Sequence, residues 1–286
     1  MKKYKKRQRT KDVSLRKDSG IVKWLLIGLC AVFLVVLLVL PLIYVVATAI
    51  RDGWNDYVKA VTDTYAVKAI LLTLEVVGIT VVINTIFGVF AAWIITKFTF
   101  RGKKVISTLI DLPLAISPII AGLIFVLTFG RQSFLYPYLE EAGVQIIFAV
   151  PGIVLATIFV TFPFISREII PVLTAAGTDE EEAAAMMGAN GFQIFTQITF
   201  PHIKWAFLYG VVLCSARAMG EFGAVSVLSG HLRGLTNTMP LYIELLYQAF
   251  DFTGAFAMSS ILVVMAVIIL VVRNILEYRG KKEGEV

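Results

Sequence analysis

A chain of 286 residues that is 58% hydrophobic and only 16% charged, with a mean hydropathy of +0.83, does not have the composition of a water-soluble domain, in which about a quarter of residues are charged. The net charge of +6 does not point to nucleic acid either. Lys and Arg collect in the first 23 positions, in one short loop (Lys97, Arg101, Lys103, Lys104) and near the end (Arg273, Arg279, Lys281, Lys282), and these flank apolar runs, as basic residues do on the cytoplasmic side of a membrane.

In chain order, residues 1–22 read as a basic cytoplasmic tail. About 27 mostly apolar residues come next, longer than a signal-peptide core and without a small-residue cleavage site, so they read as a retained helix. With about 20 residues needed per crossing, the hydrophobic blocks predict six spans, near 23–50, 69–95, 105–129, 145–165, 205–229 and 252–272. The fold class expected is therefore all-α: a polytopic membrane domain over 23–275 and a short cytoplasmic tail over 276–286. Cys30 and Cys214 both lie inside apolar runs without a partner spaced for zinc or redox chemistry, and read as packing residues.

Counting Lys and Arg between spans gives three in 51–68, four in 96–104, one in 131–144 and one in 230–251. Both termini then lie in the cytoplasm, in a cell membrane, and alternation puts the long connection 166–204 there too. That connection holds Thr178-Asp-Glu-Glu-Glu-Ala-Ala-Ala-Met-Met-Gly188. Thr178 with Glu181 three residues on predicts a capping box, Asp179, Glu180 and Glu181 suit the first turn of a helix, and Gly188 suits a left-handed end. Asn190-Gly191 signals a turn, and a second amphipathic piece runs over 192–199 before Pro201 leads into span five. A short helix with acids at its tip and alanines along its side is read in two ways: a plug for a partner's groove, or an ordinary solvated loop helix.

Few ionisable residues fall inside the spans: Glu75, Asp111, Arg217 and Glu221. Each costs at least about 2.5 kcal/mol at membrane depth, so each is expected to face protein or a pore. Arg217 and Glu221 stand four apart and can pair, either as a neutral lock on span five or as part of an anion path. Asp111 is placed to cap span three. Pro113, Pro118 and Gly122 predict a kink in span three, needed for packing or, as in many transport pathways, for lining the route. His231 and Arg233 come just after span five, in a loop that is solvated, or that docks a partner or funnels an anion. His202 beside Pro201 reads as an interfacial packing residue.

Glu182-Ala183-Ala184, three residues, Gly188, nine residues and Ile198-x-Phe200-Pro201 resemble the EAA loop of permease subunits of binding-protein-dependent ABC importers, with Phe200 where that pattern has Leu. The resemblance implies that Glu182, Ala183, Ala184, Gly188 and Pro201 couple the permease to an ATPase subunit, and that ATP is bound there, so this chain carries no cofactor and no catalytic residue. Ala216-Arg-Ala-Met-Gly-Glu-Phe-Gly-Ala-Val225 resembles the signature of permeases for tetrahedral oxyanions. Ser226–Pro240, Asp111–Gly122 and Thr161–Pro171 resemble sulfate permease subunits of the CysW type. That likeness implies two ATPase subunits, a second, homologous permease forming a heterodimer, an external sulfate-binding protein and a lipid environment. Ser117, Pro118, Arg217, Glu221 and Ser226, with Thr128 and the amides near Gly220 and Gly223, are the candidate translocation residues.

Two other classes are weighed. An intramembrane enzyme needs a nucleophile and base or a ligand cluster at one depth, and the two histidines and scattered acids do not supply one; no phosphate-binding loop for ATP occurs either. An ion-gradient transporter would need no ATPase partner. Within the importer reading, molybdate or tungstate is the alternative cargo to sulfate or thiosulfate.

Overall fold

The computed structural model describes residues 20–283. The basic stretch 1–19 and residues 284–286 of the expected tails lie outside them. The described residues form helices and connecting turns: α1 Gly20–Leu34, a π turn Val35–Val39, α2 Leu40–Arg51, α3 Trp54–Thr62, α4 Thr64–Lys97, α5 Lys103–Ala115, α6 Pro118–Phe129, α7 Tyr136–Glu141, α8 Val150–Thr161, α9 Pro163–Ala176, α10 Asp179–Met186, α11 Gly191–Ile194, a second π turn Phe195–Thr199, α12 Phe200–Met219, α13 Gly223–Ser229, α14 Met239–Gln248 and α15 Phe252–Glu283.

Two compact units result, divided after Thr48. The described residues of the first form an apolar helix, exposed along nearly its whole described length, with Cys30 among the exposed residues. The second holds the helical bundle. Helices long and apolar enough to cross a membrane are Val22–Arg51, Thr64–Lys97, Val150–Ala176, Gly191–Met219 and Phe252–Gly280, with α5 and α6 as a bent pair that makes up a sixth.

Three expected spans change shape. Span three is broken rather than kinked: α5 and α6 meet at 110°, because the ring of Pro118 disfavours helical geometry in the residue before it and both Ile116 and Ser117 are extended (ψ 133° and 135°). Span four continues through α9 to Ala176, so most of what was expected as loop after residue 165 is helix. Arg167, which reads as a loop residue, is paired with Asp111 of α5 at 3.3 Å, and that pairing replaces the expected cap. Span five begins at Gly191 and ends at Met219; Gly220–Phe222 interrupt it, and α13 is a separate helix. The last helix runs on to Glu283, into the stretch expected as a tail.

The bundle around α4 is packed as membrane helices pack, through small residues that let backbones approach. A side chain on Gly88 of α4 would lie 3.1 Å from the Ile165 side chain, and one on Gly210 of α12 would lie 3.0 Å from the Ile165 Cα. Ala92, Ile165, Ile169, Leu173, Ile203 and Cys214 form the buried cluster between α4, α9 and α12. Asn84, fully buried in α4, donates to Thr161 Oγ1 of α8 at 2.8 Å and lies 3.7 Å from Cys214 Sγ of α12. At the other end of α4, Asp63 accepts from the Tyr65 and Ala66 amides and from the Tyr242 hydroxyl of α14 at 3.2 Å.

Candidate functional site

Two groups of candidate residues are kept apart by the fold. The first surrounds α10. Gly177 (φ +69°) precedes it and Gly188 (φ +90°) comes after it, both in backbone regions that side chains disfavour. The helix ends in a Schellman motif: the Ala189 amide donates to the Ala184 carbonyl and the Gly188 amide to Ala185, each at 3.0 Å. The expected capping box is not formed. Thr178 Oγ1 donates instead to Glu182 Oε1 at 2.9 Å, and Glu181 turns inward to Lys97 at the end of α4, 3.0 Å away. A box exists one helix later, where Asn190 and Gln193 exchange bonds at 2.9 Å and start α11.

Of the coupling candidates, Ala184 is buried, whereas Glu182, Ala183 and Gly188 are exposed. Pro201 is half-buried just after the second π turn, in the first turn of α12. His202, expected only to pack, sits 2.8 Å from Glu180. Beside these lie side chains that the motif does not name. Met186 is 90% exposed, Met187 83% and Phe192 77%, so the tip of the connection is apolar. Their legible signal was hydrophobicity next to a charged helix, which the acidic pattern overshadowed.

The second group gathers where the two interrupted spans meet. A side chain on Gly122 of α6 would come within 2.7 Å of the Ala224 carbonyl, and one on Gly223 within 3.0 Å of Pro118, so α6 and α13 touch backbone to backbone. Arg217 occupies the last turn of α12 and pairs at 2.7 Å with Glu221 in the break. Glu221, 2% exposed, also accepts from the Ala224 amide at 2.8 Å. The cation thus faces the negative end of α12 and the carboxylate the positive end of α13, which lowers the cost of burying both. Glu221 therefore belongs to the break and holds two helix ends together. Thr73, Thr157 and Thr238 line a small cavity beside it. Ser226 Oγ is spent on the Gly223 carbonyl at 2.9 Å and Thr128 Oγ1 on Ile124 at 2.8 Å. Ser117 is exposed at the start of α6 and makes no capping bond. Glu75 lies on the exposed face of α4, away from this junction's named contacts, and His231 and Arg233 are exposed in the loop after α13. Among the described residues no group of three or more His, Cys, Asp or Glu is arranged to hold a metal ion.

Known proteins share both the sequence and the architecture. The sulfate transport system permease protein CysW of Escherichia coli (strain K12) is 44% identical over 257 residues, covering 90% of this chain and 88% of that protein. CysW of Synechocystis sp. is 43% identical over 258 residues, 90% of this chain and 94% of the relative. Sulfate permease 2, chloroplastic, of Chlamydomonas reinhardtii is 40% identical, over 92% of this chain and 71% of its own length. Among solved structures, a bacterial alginate ABC transporter in complex with an alginate pentasaccharide-bound periplasmic protein has a chain with the same fold at a TM-score of 0.75 and 17% identity, covering 92% of this chain and 95% of that one. Residues 84–282 match the family described as the inner membrane component of binding-protein-dependent transport systems, and this chain belongs to that family.

Proposed function

We propose that this chain is one of two permease subunits of an ATP-driven importer of sulfate or thiosulfate. Its α10 end faces the cytosol, and ATP is bound and hydrolysed on two separate ATPase subunits. The observation that carries this reading is the α10 connection: a short helix with fixed ends whose outermost side chains, Met186, Met187 and Phe192, are large and apolar. Exposed apolar groups of that size at the tip of a connection call for a partner surface, and methionine adapts to such surfaces well. Glu182, Ala183, Ala184, Gly188 and Pro201 then set the angle at which the docked helix meets α12.

The cargo and the remaining partners are inferred from relatives. Those named as CysW support sulfate. A second relative class, CysT of Salmonella typhimurium (strain LT2), is 32% identical over 88% of this chain and supports a heterodimer of two homologous permeases. The alginate transporter crystallised with its periplasmic protein, which supports an external binding protein here.

Ser117, Pro118, Arg217, Glu221 and Ser226 are the proposed passage residues. A dianion meeting a bare arginine would be held too firmly to leave, and Glu221 removes that charge. What remains is hydroxyl and backbone donors at the start of α6, where an anion is favoured by the end of the helix without being trapped. Closure of the ATPase subunits rocks α10, and the two-state bundle switches the side to which this junction opens.

The test is uptake of labelled sulfate by the complex reconstituted in vesicles, with thiosulfate and molybdate as competitors. ATP-dependent sulfate uptake suppressed by thiosulfate is expected. A complex that carries molybdate and ignores sulfate would overturn the cargo, and one that carries sulfate without any ATPase subunit would overturn the importer reading.

A further inference from the structure

Two of the residues in α10 are turned inward, Glu181 and Ala184, one turn apart on the same face. Ala184 only fills space. Glu181 makes a joint. Its Oε1 lies 3.0 Å from Lys97 Nζ, with 7% of the Lys97 side chain and 16% of the Glu181 side chain exposed. The same oxygen accepts from Thr199 Oγ1 at 2.6 Å, and Lys97 also donates to the Gly177 carbonyl at the start of the connection. Lysine is rarely this buried unless it is paired, and an ion pair shielded from water is far stronger than an exposed one. By comparison the neighbouring Glu180–His202 pair has side chains 68% and 42% exposed, where screening leaves little.

The joint draws on three separate pieces of chain: the end of α4, the first turn of α10 and the last residue of the π turn before α12. A π turn adds one residue to the helical path, which rotates the helix face before it by about 100° relative to the face after it, and Thr199 sits at that step. Gly177 and Gly188 set the two ends of α10 at positive φ, and the bonds of the Gly188 turn hold its far end closed. A push on α10 then has two ways into the bundle: along the connecting chain, or through Glu181.

We propose that Lys97, Glu181 and Thr199 are positioning residues that pass the movement of α10 directly into α4 and α12, so that both helices turn with it as one body. This rests on the coupling role proposed for α10. It adds a route that the motif residues do not contain, since Lys97 lies 84 positions before Glu181 and on another span.

The experiment uses the complete complex in vesicles and measures ATP hydrolysis and sulfate uptake on the same preparation, with the melting temperature alongside. Lys97→Met and Glu181→Gln are expected to lower sulfate carried per ATP by about threefold or more, within the range of known coupling effects, while hydrolysis continues. Thr199→Val, which leaves both charges in place, should lower the ratio less. Lys97→Glu alone should be severely uncoupled, and adding Glu181→Lys should recover part of the loss. A ratio equal to wild type in Lys97→Met and Glu181→Gln would overturn the proposal. Were those two to fail to assemble, an unchanged ratio in Thr199→Val would overturn it equally. So would a ratio that merely tracks the melting temperature across all variants. A wild-type complex without ATP-driven sulfate uptake would instead sink the importer reading itself, which keeps the two failures distinct.

Discussion

Gly188→Val isolates the geometry of the α10 lever. No heavy atom lies within 4 Å of the place a side chain at Gly188 would occupy, and its φ is +90°, so the cost of substitution is in the backbone alone. An L-residue held left-handed costs about 1–2 kcal/mol, with β-branched valine at the upper end. The bonds that keep the turn closed, Ala189 to Ala184 and Gly188 to Ala185, contribute about 1 kcal/mol each. Strain and restraint are therefore of equal size, and the cheapest relief is to open this one turn and let α10 swing relative to α11. Against a total stability of about 5–15 kcal/mol the protein remains folded, with a melting shift below about 8 °C. The series Gly188→Asn, Gly188→Ala, Gly188→Val should therefore lose sulfate uptake per ATP progressively, because asparagine tolerates the left-handed region best. Vesicles carrying the full complex, assayed for hydrolysis and uptake together, give the ratio. A valine variant that transports as well per ATP as wild type would refute the reasoning, and so would one that abolishes folding outright.

The junction and the core give further expected outcomes. Glu221→Ala strands Arg217 and the Ala224 amide; since Arg217 is about a third exposed, the loss should be near the low end of that for a broken buried pair, about 3 kcal/mol, and Arg217→Met with Glu221→Leu should cost less than Glu221→Ala alone in denaturant unfolding. Gly122→Val sets a side chain 2.7 Å from the Ala224 carbonyl and 3.1 Å from Val227, so it should force α6 off α13 at about 1–3 kcal/mol and lower uptake along with the melting temperature. Burial, reinforced by the charge of Asp63, pushes the Tyr242 hydroxyl from its ordinary value near 10 up to about 12. The folded chain thus holds this proton more tightly than the unfolded one, and the stability it contributes is complete below pH 10 and lost as pH rises through 12. Melting temperatures at pH 9 and 11 should therefore fall less in Tyr242→Phe than in wild type.

Hydropathy made the crossing helices legible because a bilayer demands long apolar runs whatever their neighbours. The helix α10 and its left-handed end were legible too, since acids in a first turn and a glycine at the end act locally. What escaped was decided over long distances. Thr178 and Glu181 have the spacing of a capping box, but a nearly buried Lys97 competes for the same carboxylate and wins; in sequence Lys97 marks only the flank of a span. Arg167 and Pro171 look like loop residues, yet α9 carries them as helix because Ile165, Ile169 and Leu173 bury its other face against α4 and α12. The interruption after Met219 is written in Gly220 and Gly223, but it becomes visible only once Gly223 is seen against Pro118 and Glu221 against Ala224. The candidate passage residues were named one by one from two spans, and nothing in their spacing says that they meet.

A photo-crosslinking amino acid in place of Met186, 90% exposed at the tip of α10, tests the central claim most directly. Irradiation of the complex in intact membranes should join this position to the nucleotide-binding subunit, in a yield that changes when ATP is supplied. Capture of lipid alone, or of the external binding protein, would contradict the account.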